Sequence, residues 1–307
     1  MSSGNKSNLI KFTVDGFSNS PDLQCPLFII FLFIYLTIVF SNLTIVASIV
    51  LYTHLHTPMY IFLCNLSVID ILYTSTIIPN LLNMLLTRYK MISFAGCFIQ
   101  MYFFIVFVCA EVLLLAVMAY DRYVAICYPL HYSLLLSPKT CTYLITGVWI
   151  GSLLDPVLHT VFISKLSFCS SNHIDHFFCD VSPLLKLSCN DTYYIEMWTY
   201  ILFIVVVMSS FTLILASYVF IISSILNIQS ETGRSKAFST CISHMTCVLI
   251  FYGTMTCLYM RPRSMYSSGQ DKFFALLYVI LIPMLNPPIY TLKNKDFSKV
   301  FKQFKLY

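Results

Sequence analysis

Four acids and one arginine stand where the surrounding residues are almost wholly apolar: Asp70, Glu111, Asp155 and the adjacent pair Asp121-Arg122. An ionisable group inside a greasy segment is costly and marks a functional position. Asp121-Arg122 closes its apolar run, within "MAYDRYVAICYPLHY" at 118–132. An arginine held by its neighbour in one state and released to another partner in a second state is a bistable contact of the kind switches use. Asp155, just before Pro156, fits either a protonated acid in the outer part of its segment or an acid facing a water-filled cavity. The sequence has no HExxH, no GxSxG and no metal-spaced His/Cys set within its apolar runs, so hydrolytic and metal-assisted chemistry are not indicated.

The elements that hold these residues follow from composition. The chain has 307 residues, 58% hydrophobic and only 10% charged, with mean hydropathy +0.81. Soluble domains carry about 25% charged residues. Seven long runs are nearly free of charge. Residues 23–53, 197–230, 237–260 and 273–292 have no Asp, Glu, Lys or Arg, while 57–87 has only Asp70, 91–120 only Glu111 and 140–164 only Asp155. About 20 apolar residues suffice to cross a bilayer as a helix, and a helix satisfies its own backbone in lipid. The expected fold is an all-α membrane protein, a bundle of seven transmembrane helices with kinks at Pro79, Pro156, Pro283 and Pro287. The expected organisation is an extracellular tail at 1–25, a receptor domain at 26–292 and a cytoplasmic tail at 293–307. In that last segment Phe297, Val300, Phe301 and Phe304 recur at helical spacing among lysines, which fits a short amphipathic helix on an anionic leaflet.

Positive charge does not choose the orientation, because the 18 Lys and Arg divide nine to nine between the two sides. Two glycosylation sequons do. Asn5-Lys6-Ser7 and Asn190-Asp191-Thr192 lie on the side opposite the C-terminus. Cys97, Cys169, Cys179 and Cys189 share that side and suggest an oxidising compartment. Spacing leaves their three possible pairings open. The N-terminus is therefore expected outside.

Five stretches, in order and each in its proper run, carry a resemblance: "LHTPMYIFLCNLSVID" (55–70), "MAYDRYVAICYPLHY" (118–132), Ser217-Tyr218, "KAFSTCISH" (236–244) and "PMLNPPIY" (283–290). Together they resemble the olfactory receptor family of rhodopsin-like G-protein-coupled receptors, in its tetrapod-type class, over nearly the whole chain. The resemblance implies a switch of Asp121, Arg122, Tyr123, Tyr218, Lys236, His244, Asn286, Pro287 and Tyr290, with Tyr218 and Tyr290 as active-state partners of Arg122. It implies disulfides Cys97–Cys179 and Cys169–Cys189, and a sodium ion held by Asp70, Glu111 and Asn286, which oxygen-rich ligation suits; no other cofactor is implied. Trp149 fits the family's fourth-helix tryptophan. The chain departs from the pattern in Ser41 before Asn42, in the second proline of Pro287-Pro288, and in having no cysteine after Cys257 to anchor a lipidated tail.

The ligand end is expected in the outer half of the bundle. Eighteen residues back from Arg122, about 27 Å along a helix, stands Phe104. Phe104, Ile105, Val108 and Cys109 form one stripe, joined by Leu202, Phe203 and Val206, by Tyr252, Met255 and Tyr259, and by Val279, all aligning with family pocket positions. The stripe carries no fixed charge. Its expected ligand is a small, uncharged volatile, oriented by donation from Tyr252 and Tyr259 to a ligand oxygen. "CFIQMYFFIVFVCA" (97–110) lacks the acid of amine receptors and 273–292 lacks a retinal lysine. The implied partners are an odorant, a stimulatory olfactory-type G protein that raises cAMP, and membrane lipid, with no nucleic acid. The expected location is the plasma membrane of olfactory sensory cilia. The alternatives are another rhodopsin-like receptor for a small lipid-like ligand, or a transporter; the inverted repeats or polar lane of a transporter are not visible.

Overall fold

A computed structural model of the protein describes residues 11–17, 21–168, 172–260 and 268–291. Each apolar run forms one helix long enough to span a bilayer: α1 (Pro21–Leu51), α2 (Pro58–Thr87), α3 (Phe94–Cys127), α4 (Pro138–Ser164), α5 (Tyr193–Leu226), α6 (Glu231–Tyr259) and α7 (Gly269–Ile289). Their starts are chemically marked. Pro58 and Pro138 occupy first-turn positions, where the missing N–H costs nothing. Ser93, Ser137 and Ser230 cap α3, α4 and α6 by accepting from the backbone N–H of Gly96, Thr140 and Gly233. Large side chains such as Phe33, Phe40, Tyr143 and Leu213 point outward. That exterior suits hydrocarbon rather than water.

α3 lies at the centre, packed against α2, α4 and α5. Its interior is joined to its neighbours by polar contacts that replace solvent. Trp149 Nε1 donates to Asn65 Oδ1 at 3.2 Å, and Tyr102 donates to the Leu153 carbonyl at 2.8 Å. Pro287 has no N–H to give the carbonyl four residues earlier, at Pro283. Asn42 Nδ2 on α1 donates to that carbonyl at 3.2 Å instead. α5 and α7 each contain one wider π turn, at Phe203–Met208 and Leu277–Leu281, a distortion often found where a helix lines a functional site.

Two sequence expectations need correction at the ends. The bundle does not begin at residue 26: α1 starts at Pro21, with Asp22 favourably placed in its first turn. The N-terminal segment is also not merely a tail. Strand β1 (Lys11–Val14) pairs antiparallel with β2 (Met91–Ser93) and parallel with β3 (His173–Ile174), giving a small sheet in the order β2-β1-β3. Phe12 is fully buried against Phe94 and Phe168, with ring centroids 5.9 and 5.3 Å away. Phe17 stacks on Phe177 at 4.7 Å. The sheet therefore closes one end of the bundle, opposite the end carrying Arg122. Asn5 and the tail at 293–307 lie outside the described residues.

The connection between α4 and α5 is pinned over α3. Cys97 and Cys179 form a disulfide with Cα atoms 5.4 Å apart. Gln100 holds the same point, its Oε1 accepting from the Cys179 N–H at 3.0 Å and its Nε2 donating to the Thr76 carbonyl at 3.0 Å. Cys189 is also disulfide-bonded, and its expected partner Cys169 lies outside the described residues. Cys97→Ser and Cys179→Ser are each expected to reduce delivery to the cell surface to the same extent. The double variant should be no worse than either single, because all three remove one bond. Flow cytometry of tagged receptor tests this, and additive losses would refute it.

Candidate functional site

Near the sheet end, α3, α4, α5, α6 and the loop after Cys179 line a cavity of about 90 Å³. Nine of the residues expected there line it: Phe104, Ile105, Val108 and Cys109 from α3, Leu202, Phe203 and Val206 from α5, and Met255 and Tyr259 from α6. The π turn in α5 presents Phe203, Val206 and Val207 to it together. Tyr252 and Val279 are buried but not among the lining residues. Tyr252 stacks on Phe211 at 4.9 Å, and its hydroxyl donates to the Val112 carbonyl at 3.3 Å. α7 is kept from the wall by packed rings, Tyr73, Phe104 and Tyr278, with centroids 5.6 to 5.8 Å apart.

The cavity is not the uncharged slot expected from the stripe. Asp155 and His159 reach it from α4, Thr199 from α5 and Asp180 from the loop. His159 sits one helical turn after Asp155, hence on the same face, a spacing that could have been read from the sequence. Asp180 could not, because only the Cys97–Cys179 bond brings it over α3. Hydrogen bonds fix several of these groups. Thr199 Oγ1 donates to the Ile195 carbonyl at 2.8 Å, and His159 Nε2 lies 2.7 Å from Thr199 Oγ1. His159 must then be the donor in that contact. The Tyr259 hydroxyl donates to the Asp180 carboxylate at 3.2 and 3.3 Å, so it is not free to donate to a ligand as expected. Above this pair lies a second chamber of about 380 Å³, lined by His176, Lys186, Glu196 and Asp271 among others. Asp180, Val181, Thr199 and Tyr259 border both spaces.

At the opposite end, Arg122 Nε lies 3.5 Å from Asp121 Oδ2, and the other oxygen of Asp121 accepts from the Tyr132 hydroxyl at 2.7 Å. Burial and the Asp121 carboxylate push the Tyr132 hydroxyl upward in pKa, so it remains a donor. Tyr218 is not paired with Arg122 here. Its hydroxyl lies 2.6 Å from His244 Nδ1, joining α5 to α6. Tyr123 packs on Tyr128 and Phe220. The side chains of Lys236 and Tyr290 lie outside the described residues. Between the two ends, Asn286 Nδ2 donates to both oxygens of Asp70, at 3.2 and 3.1 Å. Glu111 is buried, and its Oε1 has no hydrogen-bond partner among the described residues.

The sequence profile described as "Olfactory receptor" matches residues 31–306. Similar proteins include Olfactory receptor 5AR1 of Mus musculus, 48% identical over 99% of this chain and 98% of its own length. Olfactory receptor 8H1 of Homo sapiens is 49% identical over 95% and 94%. The chain belongs to the olfactory receptor family. It is a multi-pass G-protein-coupled receptor of the plasma membrane and not an enzyme.

In this olfactory receptor the loop groups bordering the two chambers are electrostatically tuned. Burial, with Asp271 adding to it, raises Asp180 to about 6 from 3.8, against the opposing hydrogen bonds from Val181 N–H and Tyr259. Burial, aided by Lys272, lowers His176 to about 3. For Asp180 the folded state favours the proton more than the unfolded state does. Its stabilising contribution is complete below the unfolded value and is lost as pH rises through about 6. The loss amounts to roughly 3 kcal/mol at about 1.4 kcal/mol per unit. Asp180→Asn, which keeps an acceptor, should therefore improve relative to the wild type between pH ~4 and ~6. Melting temperatures of receptor in detergent micelles test this. A difference that stays constant or shrinks as pH rises would refute it.

Proposed function

We propose that this receptor binds a small, mostly apolar volatile in the cavity between α3, α4, α5 and α6 and activates a stimulatory, olfactory-type G protein that raises cAMP. The sheet end faces outside, in the plasma membrane of sensory cilia. Asn5 and exposed Asn190 then serve as glycan acceptors.

One observation carries the reading. α6 contributes Met255 and Tyr259 to the cavity and His244 to the contact with Tyr218, which lie 15 residues or about 22 Å apart on one helix. A ligand that shifts α6 at the cavity bears on the His244–Tyr218 bond. Breaking it frees Tyr218 for Arg122, which must leave Asp121. The ligand need only bind the second arrangement more tightly to shift the population. Burial of apolar surface at ~25 cal/mol per Å² gives a small molecule micromolar affinity.

A sodium ion fits the mid-bundle cluster. Asp70, Glu111 and the side-chain oxygen of Asn286 supply hard oxygen ligands, and the unpartnered Glu111 Oε1 is a buried acceptor in need of a cation. The ion would supply positive charge that these acids lack. Asp70 and Asn286 themselves join α2 to α7.

A cAMP reporter screen of diverse volatiles tests the reading. Arg122→Ala should abolish the agonist response while surface staining stays near wild type; full signalling by the variant would sink the switch assignment. Basal signalling should fall as sodium rises, and Glu111→Gln should remove that dependence. Sodium-independent basal signalling in the parent would dismiss the ion.

A further inference from the structure

The polar groups of the ligand cavity offer acceptors and almost no donors. The hydroxyl protons of Thr199 and Tyr259 are committed to the Ile195 carbonyl and to Asp180. The Nε2 proton of His159 is committed to Thr199. The Val181 N–H is committed to Asp180 Oδ1 at 2.7 Å. Cys109 has only a weakly donating thiol. Asp155 lines the cavity and has no hydrogen-bonded or ion-paired partner among the described residues. No lysine or arginine lines the cavity among those residues. Lys186 belongs to the chamber above.

We infer that the ligand is a small aliphatic amine bound as its ammonium ion, with the Asp155 carboxylate as counter-ion. The inference rests on the reading that this cavity is the ligand site, and it names the ligand class. A carboxylate held among apolar side chains without a cation is costly. An ammonium removes that cost and brings three donors to a wall of acceptors. An alcohol brings one donor and leaves the charge unmatched. An aldehyde, ketone, ester or ether brings only acceptors and meets acceptors. Alkylamines are protonated at neutral pH, as lysine is, and the aliphatic chain takes the apolar wall formed by Phe104, Val108, Phe203 and Val206.

The test compares hexylamine, hexanol, hexanal and heptane in reporter cells expressing the full chain, with untransfected cells as control. In the wild type, hexylamine should act at a half-maximal concentration about tenfold or more below that of hexanol or hexanal. Asp155→Asn should raise the hexylamine value roughly ten- to a hundredfold while moving the hexanol value little. Asp155→Glu should keep the amine preference. If the asparagine variant does not reach the surface, the wild-type ranking decides. A wild type that answers hexanal best, or an amine response that survives Asp155→Asn, overturns the amine assignment and leaves the odorant reading standing. A wild type at the surface that answers no volatile of any class overturns both.

Discussion

Hydrocarbon offers no hydrogen bonds, so every polar group placed in it must find its partner within the protein. That constraint makes the seven runs helices, because a helix pairs its own backbone. It also explains where the bundle spends its few polar side chains. Asn42 serves the carbonyl that Pro287 leaves without a donor. Asn65 accepts from Trp149 across to α4. Asn286 donates to Asp70. Each contact joins two helices at a place where slippage would leave an orphaned group, so polar satisfaction sets the register of the bundle while apolar packing supplies its bulk.

The same constraint makes the exceptions informative. Glu111 Oε1 is buried without a hydrogen-bond partner among the described residues, and half-buried Asp155 faces the cavity rather than a neighbouring helix's polar group. One lies between the ends of the receptor and the other at the cavity between α3, α4, α5 and α6. The proposed sodium ion would complete the first acid, and the proposed ligand the second. The switch contact obeys a related logic. Asp121 is divided between Arg122 and Tyr132, and Tyr218 is occupied by His244, so the proposed switch would work by exchange between separate pairs.

The sheet end is built on a different principle. There water is near, backbone pairs with backbone in β1, β2 and β3, and buried rings of Phe12, Phe177 and Phe178 fill the space beneath. The Cys97–Cys179 bond and Gln100 tie this cap to α3. As a result a loop residue, Asp180, lines both the larger chamber and the smaller cavity between the helices.

The number of spans, their approximate limits, the family and most of the cavity's α3, α5 and α6 lining were legible in the sequence. Charge exclusion from lipid and helical periodicity are local properties, written into runs of neighbouring residues. Asp121-Arg122 was legible for the same reason, as an abrupt end to one run. Other features depended on residues far apart in the chain. The strand at Lys11–Val14 is too short to announce itself and exists because β2 and β3 are brought beside it. Tyr252 shares a helix face with residues of the cavity, yet its hydroxyl is taken by Val112. Asp155 could be seen to be unusual from sequence, but only the packing of α4 against α3 turns it toward the cavity. The sequence by itself determined which segments must leave water. Tertiary structure alone decided which of their few polar groups meet each other and which face the cavity, because hydrogen bonding depends on ångström-scale distances between helices that periodicity does not encode.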